Sequence, residues 1–160
     1  MIKIDNISIE ERQARAEELF ENGYNCCQAV VLAFSDITGL DEDSLKAATS
    51  GFGGGFGRLR EVCGAVSGMT FLAGFIEPAT DPTNRAQRAA NYALVQKFAE
   101  RFREERGSIV CRELLGLRQK HDAPNPEART AAYYESRPCA ELVGCAAEIL
   151  ENYLIKNSKN

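Results

Sequence analysis

The stretch Val62-Cys-Gly-Ala-Val-Ser-Gly-Met-Thr-Phe-Leu-Ala-Gly-Phe-Ile76 decides the fold. It runs 15 residues without a charge and is bracketed by Glu61 and Glu77. A membrane-spanning helix needs about 20 apolar residues, so this run is too short to span and is predicted to be a buried core helix of residues 61–76, ending near Gly74. Upstream lies the glycine-rich stretch Ser50-Gly-Phe-Gly-Gly-Gly-Phe-Gly-Arg58, and helical patterns continue on both sides.

Toward the N-terminus, Ser8-Ile-Glu-Glu11 is a capping box, and Ile9, Ala16, Leu19 and Phe20 mark one helical face up to Gly23. Asn25-Cys-Cys-Gln28 is a second box, and the apolar run from Ala29 to Phe34 predicts a central helix closed by Gly39. A short helix is expected over residues 43–49. Toward the C-terminus, Asp81-Pro82 is read as a helix start. Ala86, Ala90, Leu94, Phe98 and Phe102 recur every fourth residue as far as Gly107. Ser108 is expected to cap a short helix closed by Gly116, residues 117–137 to form a long polar loop, and Pro138 to open the last helix. No alternating β pattern and no repeat interrupts this map. The expected fold is all-α: one helical bundle spanning residues 1–160, of about six to seven helices, with a glycine-rich loop before the buried central helix.

The 19 basic and 23 acidic residues are interspersed and leave a net charge of −4. Without a basic stripe, nucleic-acid binding is not expected, and the alternating charges read as solvated helix faces. Met1-Ile-Lys-Ile-Asp-Asn-Ile-Ser-Ile-Glu-Glu11 has no apolar signal segment, so a cytoplasmic location is expected, with no membrane span.

Six cysteines stand against a single histidine, His121, so any site chemistry is expected to rest on thiols. Cys26, Cys63, Cys111 and Cys139 all fall near predicted helix starts, where unpaired N–H groups and the helix dipole favour a thiolate. On the helical wheel Val30, Ala33 and Ile37 lie within about 40° of Cys26, which faces it inward and turns Cys27 about 100° to the flank. Cys139 shares the stripe of Val143, Ala146 and Leu150, while Cys145 falls off it. Buried cysteine also serves as a small hydrophobe, so packing alone is the competing explanation. No Cys-x-x-Cys occurs, which excludes a thioredoxin-type motif and a zinc ribbon.

Gly53, Gly54 and Gly55 match neither a dinucleotide fingerprint nor a phosphate loop. They fit a loop needing positive φ and close packing or, alternatively, an anion-binding nest near Arg58 or Arg60. Gly64 and Gly68 give the buried helix a smooth face that another backbone or a cofactor could approach. His121 is expected to be solvated. Tyr133 and Tyr134 are expected to anchor the polar loop or to cover the cysteines.

The segments Gly23-Tyr-Asn-Cys26-Cys-Gln-Ala-Val30, Gly53-Gly-Gly-Phe-Gly-Arg58, Cys63-Gly-Ala-Val-Ser-Gly68, Cys111-Arg-Glu-Leu-Leu-Gly116 and Cys139 together resemble the C_GCAxxG_C_C family of redox-active proteins. The resemblance runs over residues 16–150. It implies that the family cysteines are Cys26, Cys63, Cys111 and Cys139, with Cys27 and Cys145 as extras, and it implies redox activity. Domains similar to these also look related to part of some multi-haem cytochromes, which suggests an iron–sulfur centre. Without Cys-x-x-Cys-His no covalent haem is expected here.

Three functions fit. In the first, two of the four thiols cycle between dithiol and disulfide, with Cys63 or Cys26 attacking, and the partner is a redox protein or a small thiol. In the second, the four thiols hold an iron–sulfur cluster or a single metal ion. In the third, the chain is a helical interaction module with structural cysteines. A homo-oligomer is compatible with each, and whether the chain is an enzyme is left open.

Overall fold

The Ser8 hydroxyl accepts from the Glu11 N–H at 3.2 Å while the Glu11 carboxylate accepts from the Ser8 N–H at 2.7 Å. This reciprocal box starts α1 (Ile9–Glu21) in the computed structural model, which describes residues 8–158. The leader reading of residues 1–7 and the side chain of Ile9 lie outside the described residues. Asn25 and Gln28 repeat the box at the head of α2 (Cys26–Ala33). The remaining helices are α3 (Ser35–Thr38), α4 (Glu42–Thr49), α5 (Gly64–Ile76), α6 (Arg85–Arg106), α7 (Cys111–Leu114), α8 (Ala131–Ser136) and α9 (Cys139–Ser158). The described residues form an all-α fold whose only β pairing is one antiparallel bridge, Val62 to Val110. No described helix is long and apolar enough to cross a membrane.

The nine helices exceed the expected six to seven for two physical reasons. The helix predicted to reach Gly39 breaks at Phe34, giving α2 and α3. Arg12 enters at that break. Its Nη1 donates to Ala33 O at 2.7 Å, at the carbonyl end of α2, and to Asp36 Oδ1 at 2.7 Å, while Nη2 donates to Asp36 Oδ2 at 2.6 Å. Its Nε lies 3.3 Å from Glu151 of α9. A cation at a helix C-terminus satisfies carbonyls that have no partner within the helix. Arg12 is therefore a buried joint of α1, α2, α3 and α9, and not the solvated charge that its pattern predicts. The second extra helix, α8, lies in the supposed loop, where the Thr130 hydroxyl accepts from the Tyr133 N–H at 3.2 Å.

Three boundaries also shift. The central helix α5 begins at Gly64 rather than near Glu61, so Cys63 is its N-cap residue, and it continues past Gly74 to Ile76. The long helix α6 starts at Arg85 under an Asn84 cap. Asp81 instead turns back on Thr83, accepting from its N–H at 2.9 Å. The first turns of α6 run past the core, leaving Ala86 and Ala90 exposed, and its buried stripe is Leu94, Phe98 and Phe102.

α2 is packed by α1, α4, α5 and α9, and α1 lies along α9. A helix covered on several sides has no outer flank. Cys27 is accordingly fully buried, contrary to its expected place at the flank. Cys145 is likewise buried, because α9 touches α1, α2, α5 and α6, and its thiol donates to Glu105 at 3.3 Å.

Close approach of backbones makes these contacts. A Cβ on Gly64 would stand 2.9 Å from Cys26 Cβ and 3.1 Å from the Cys27 N atom. Gly55, at φ +68°, would bring a Cβ to 2.7 Å from both Cys111 Cβ and the Glu61 N atom. Gly55→Ala therefore combines left-handed strain with an unrelieved clash, and it is expected to cost about 2–4 kcal/mol. Gly74→Ala, with nothing within 4 Å of the new Cβ in a helix interior, should instead stabilise by about 0.5–1 kcal/mol. Urea unfolding of the two variants checks the contrast.

Burial pushes the Cys27 thiol up to about 12 and the Cys145 thiol up to about 11. Both are raised above the unfolded value of 9.0, so the native chain keeps protons that the unfolded chain releases. Their stabilising contribution is complete below pH 9.0 and is lost as pH rises toward 11 and 12. In urea titrations between pH 9.0 and about 12, the unsubstituted chain should lose about 1.4 kcal/mol per pH unit more than Cys27→Ala. Parallel pH profiles for the two chains would show that Cys27 keeps its proton in the folded state after the unfolded chain has lost it.

Candidate functional site

Four helix starts converge. Cys26, Cys111 and Cys139 are the first residues of α2, α7 and α9, and Cys63 caps α5. The Val62–Val110 bridge sets two of them in place, with the Cys63 N–H donating to Ile109 O at 2.8 Å and the Cys111 N–H to Glu61 O at 2.6 Å. All four thiols line one cavity of about 60 Å³. Cys63, Cys111 and Cys139 are buried, and Cys26 is half-buried at the cavity wall. All six cysteines are free thiols.

The glycines sit where the chain passes these thiols. Gly54, Gly55 and Gly64 line the cavity, whereas Gly53 does not and packs against the Asn25 side chain. The turn they form places Gly54, Gly55 and Gly57 at positive φ, together with Phe56, Arg58 and Arg60. Gly68, one turn beyond Gly64, faces Val30 of α2. The smooth face of α5 is therefore covered by another helix.

Three guanidiniums complete the wall: Arg60, Arg129 and Arg137. Arg60 is buried. Its Nε donates to Asp122 at 2.7 Å and its Nη1 to Cys111 Sγ at 3.6 Å. Arg137 precedes α9 by two residues, pairs with Glu127 and lies over the Tyr133 ring. Arg129 donates to Phe20 O at 3.0 Å and Tyr24 O at 3.2 Å, and its guanidinium lies 4.3 Å from the Phe20 ring centroid. Phe20, Tyr133, Leu114, Leu115 and Leu142 supply the apolar part of the wall.

Residues 117–130 are irregular, as expected, but they are fastened to the body. The Asp122 N–H donates to Arg58 O at 2.9 Å, and Arg58 Nε donates to Ala123 O at 2.7 Å. Tyr134 donates to Glu21 O at 2.9 Å, so this tyrosine anchors the segment while Tyr133 faces the cavity. His121 is exposed.

The electrostatics separate the thiols. Cys139 is held below the ordinary thiol range, first by its hydrogen bond with Cys26 and then by Arg137, Arg129 and Arg60, against the opposing effect of burial. As the first residue of a 20-residue helix, it also faces the positive end of the dipole. The Cys26 thiol is raised, first because it shares that hydrogen bond with Cys139 and then by burial. Cys63 is pushed up to about 12, chiefly by burial, against the pull of the Ala65 and Val66 N–H groups. Cys111 is raised by burial, with Arg60 opposing. One thiolate among four thiols is the state this arrangement favours, because each further anion meets like charge.

Among the described residues no three Cys, His, Asp or Glu side chains are grouped to hold a metal ion. The sequence pointed to Arg60 as a cation near the glycine-rich turn but not to Arg129 or Arg137. A signal for Arg137 exists in its place just before Pro138-Cys139 at a helix start. Arg129 has none, because its carbonyl partners are more than a hundred residues away.

The model of the family described as "Putative redox-active protein (C_GCAxxG_C_C)" matches residues 24–153. No curated protein and no solved structure is detectably similar to the chain. The match spans all four helix-start cysteines and the glycine-rich turn between them, and the chain belongs to the C_GCAxxG_C_C family.

Proposed function

We propose that the chain is a thiol–disulfide redox protein in which Cys139 is the attacking thiolate and Cys26 the resolving thiol. The observation that carries this reading is the shared cavity of Cys26 and Cys139, with Cys139 at the N-terminus of α9 and three guanidiniums on the same wall. A thiolate is the nucleophile in disulfide exchange, and a cationic site at a helix start is where a thiol ionises most readily. This moves the attacking role from Cys63 or Cys26 to Cys139.

The exchange is a two-electron transfer. The Cys139 thiolate attacks one sulfur of a substrate disulfide, the S–S bond breaks, and the distal sulfur leaves with the electron pair. Cys26 then gives up its proton and attacks Cys139 Sγ, expelling the second substrate thiolate. The substrate ends as two thiols and the protein as a Cys26–Cys139 disulfide. Cys63 and Cys111, kept neutral by burial on the same wall, can carry a second step once that bond has closed.

Alkylation followed by peptide mass mapping tests the assignment. Near neutral pH Cys139 is expected to react at least about tenfold faster than Cys63, with a pH midpoint below that of the same thiol in the unfolded chain. Cys26→Ala removes the hydrogen bond that favours the anion, so the Cys139 midpoint should rise. One equivalent of a neutral disulfide should close Cys26–Cys139, and Cys139→Ser should prevent this. If all four thiols stay unreactive to the disulfide, or if Cys63 is alkylated first, the assignment fails.

A further inference from the structure

The charge lining the thiol cavity differs in sign from the charge of the whole chain. The protein carries a net −4 with 23 acidic residues, yet among the described residues no Asp or Glu lines the cavity and three arginines do. Asp122 and Glu127, the carboxylates paired with Arg60 and Arg137, are not part of the lining. Arg129 has no ion pair among the described residues. Its N–H groups go to the carbonyls of Phe20 and Tyr24 and to the Tyr134 hydroxyl, and its charge lies over the rings of Phe20, Tyr133 and Tyr134. A cation held this way on the wall of a cavity is best stabilised by an anion entering it.

Size narrows the occupant. A water needs roughly 10–15 Å³ of such space, so a cavity of about 60 Å³ admits a species of four or five non-hydrogen atoms. The chemistry of the wall narrows it again, because a nucleophilic thiol with a second thiol beside it acts on an electrophilic sulfur.

We propose that the substrate of this pocket is a small oxyanion carrying a transferable sulfur atom, of which thiosulfate is the simplest, held by Arg129 together with Arg60 and Arg137. The proposal rests on the thiol–disulfide reading and specifies its substrate class. The Cys139 thiolate attacks the outer sulfur of thiosulfate. The sulfur–sulfur bond breaks, sulfite leaves with the electron pair, and Cys139 becomes a persulfide. Cys26 loses its proton and attacks Cys139 Sγ, forming the Cys26–Cys139 disulfide and expelling hydrosulfide. Two thiols supply two electrons, the transferred sulfur is reduced to sulfide, and sulfite leaves without change of oxidation state. A dithiol reductant resets the pair for a further turnover.

The test uses the full chain, fully reduced and kept without oxygen. With thiosulfate as the probe, each chain should release one sulfite and one sulfide and lose two thiols. Cys26→Ala should release sulfite alone and stop with one extra sulfur atom on the Cys139 peptide. Charge selectivity is read separately with iodoacetate and iodoacetamide, which share a leaving group and differ in charge. The iodoacetate-to-iodoacetamide rate ratio at Cys139 should exceed that of the unfolded chain by about tenfold, and it should fall in Arg129→Gln and in Arg137→Gln. The ratio in the native chain decides even if Arg129→Gln, which loses its ties to Phe20 and Tyr24, fails to fold.

A native ratio no higher than the unfolded one overturns the oxyanion proposal. So does thiosulfate giving no sulfite while a neutral disulfide still closes Cys26–Cys139, and the thiol–disulfide reading then stands. Failure of both thiosulfate and the neutral disulfide overturns both.

Discussion

Contact of backbone against backbone at Gly64 and Gly55 is the constraint on which the rest of the structure depends. At Gly64 the start of α5 lies against the start of α2, close enough that a methyl group would meet Cys26 Cβ at 2.9 Å. At Gly55 the turn before α5 lies against Cys111 in the same way. With α2, α5 and α7 held by these two contacts and by the Val62–Val110 bridge, α9 packs across α1 and α2 and brings Cys139 to the same place. The glycines are needed for the absence of a side chain more than for any group they offer. The cavity is what remains between helix ends that cannot approach further.

Bringing helix N-termini together concentrates the partial positive charge of their N–H groups. Arg60, Arg129 and Arg137 add to that charge. Such a surface is stable only where negative charge can be supplied, and a cysteine thiol supplies it without placing a permanent carboxylate inside. Four thiols do not give four charges, however. Sharing a proton with Cys139 raises Cys26, burial raises Cys63 and Cys111, and only Cys139 is lowered. The same environment therefore makes one nucleophile and keeps three neutral thiols beside it.

The ion cluster of Arg12, Asp36 and Glu151 lies apart from this site and joins the helices that carry it. Removing one partner of such a buried cluster leaves an uncompensated charge, which typically costs about 3–5 kcal/mol. Arg12 also ends α2 through Ala33 O, and Asn25 begins it through its box with Gln28. The helix bearing Cys26 is thus set at both ends by side-chain contacts to backbone.

Much of this was legible in the residues. The all-α fold follows from apolar periodicity and from Val62–Ile76 as an uncharged run, and both capping boxes form as their spacing requires. The four cysteines fall at helix starts because caps, prolines and glycines are local signals. What a single wheel could not decide was burial at Cys27 and Cys145, since it assumes one covered face and α2 and α9 are covered on several. Nor could local pattern reveal that Arg12 is buried, that residues 131–136 are helical, or that Arg129 reaches Phe20 and Tyr24. By itself the sequence determined the all-α class, the principal helices and which thiols begin them. Only the tertiary structure decided that the four thiols share one cavity with three arginines, because that depends on contacts between residues far apart in the chain, for which local spacing carries no record.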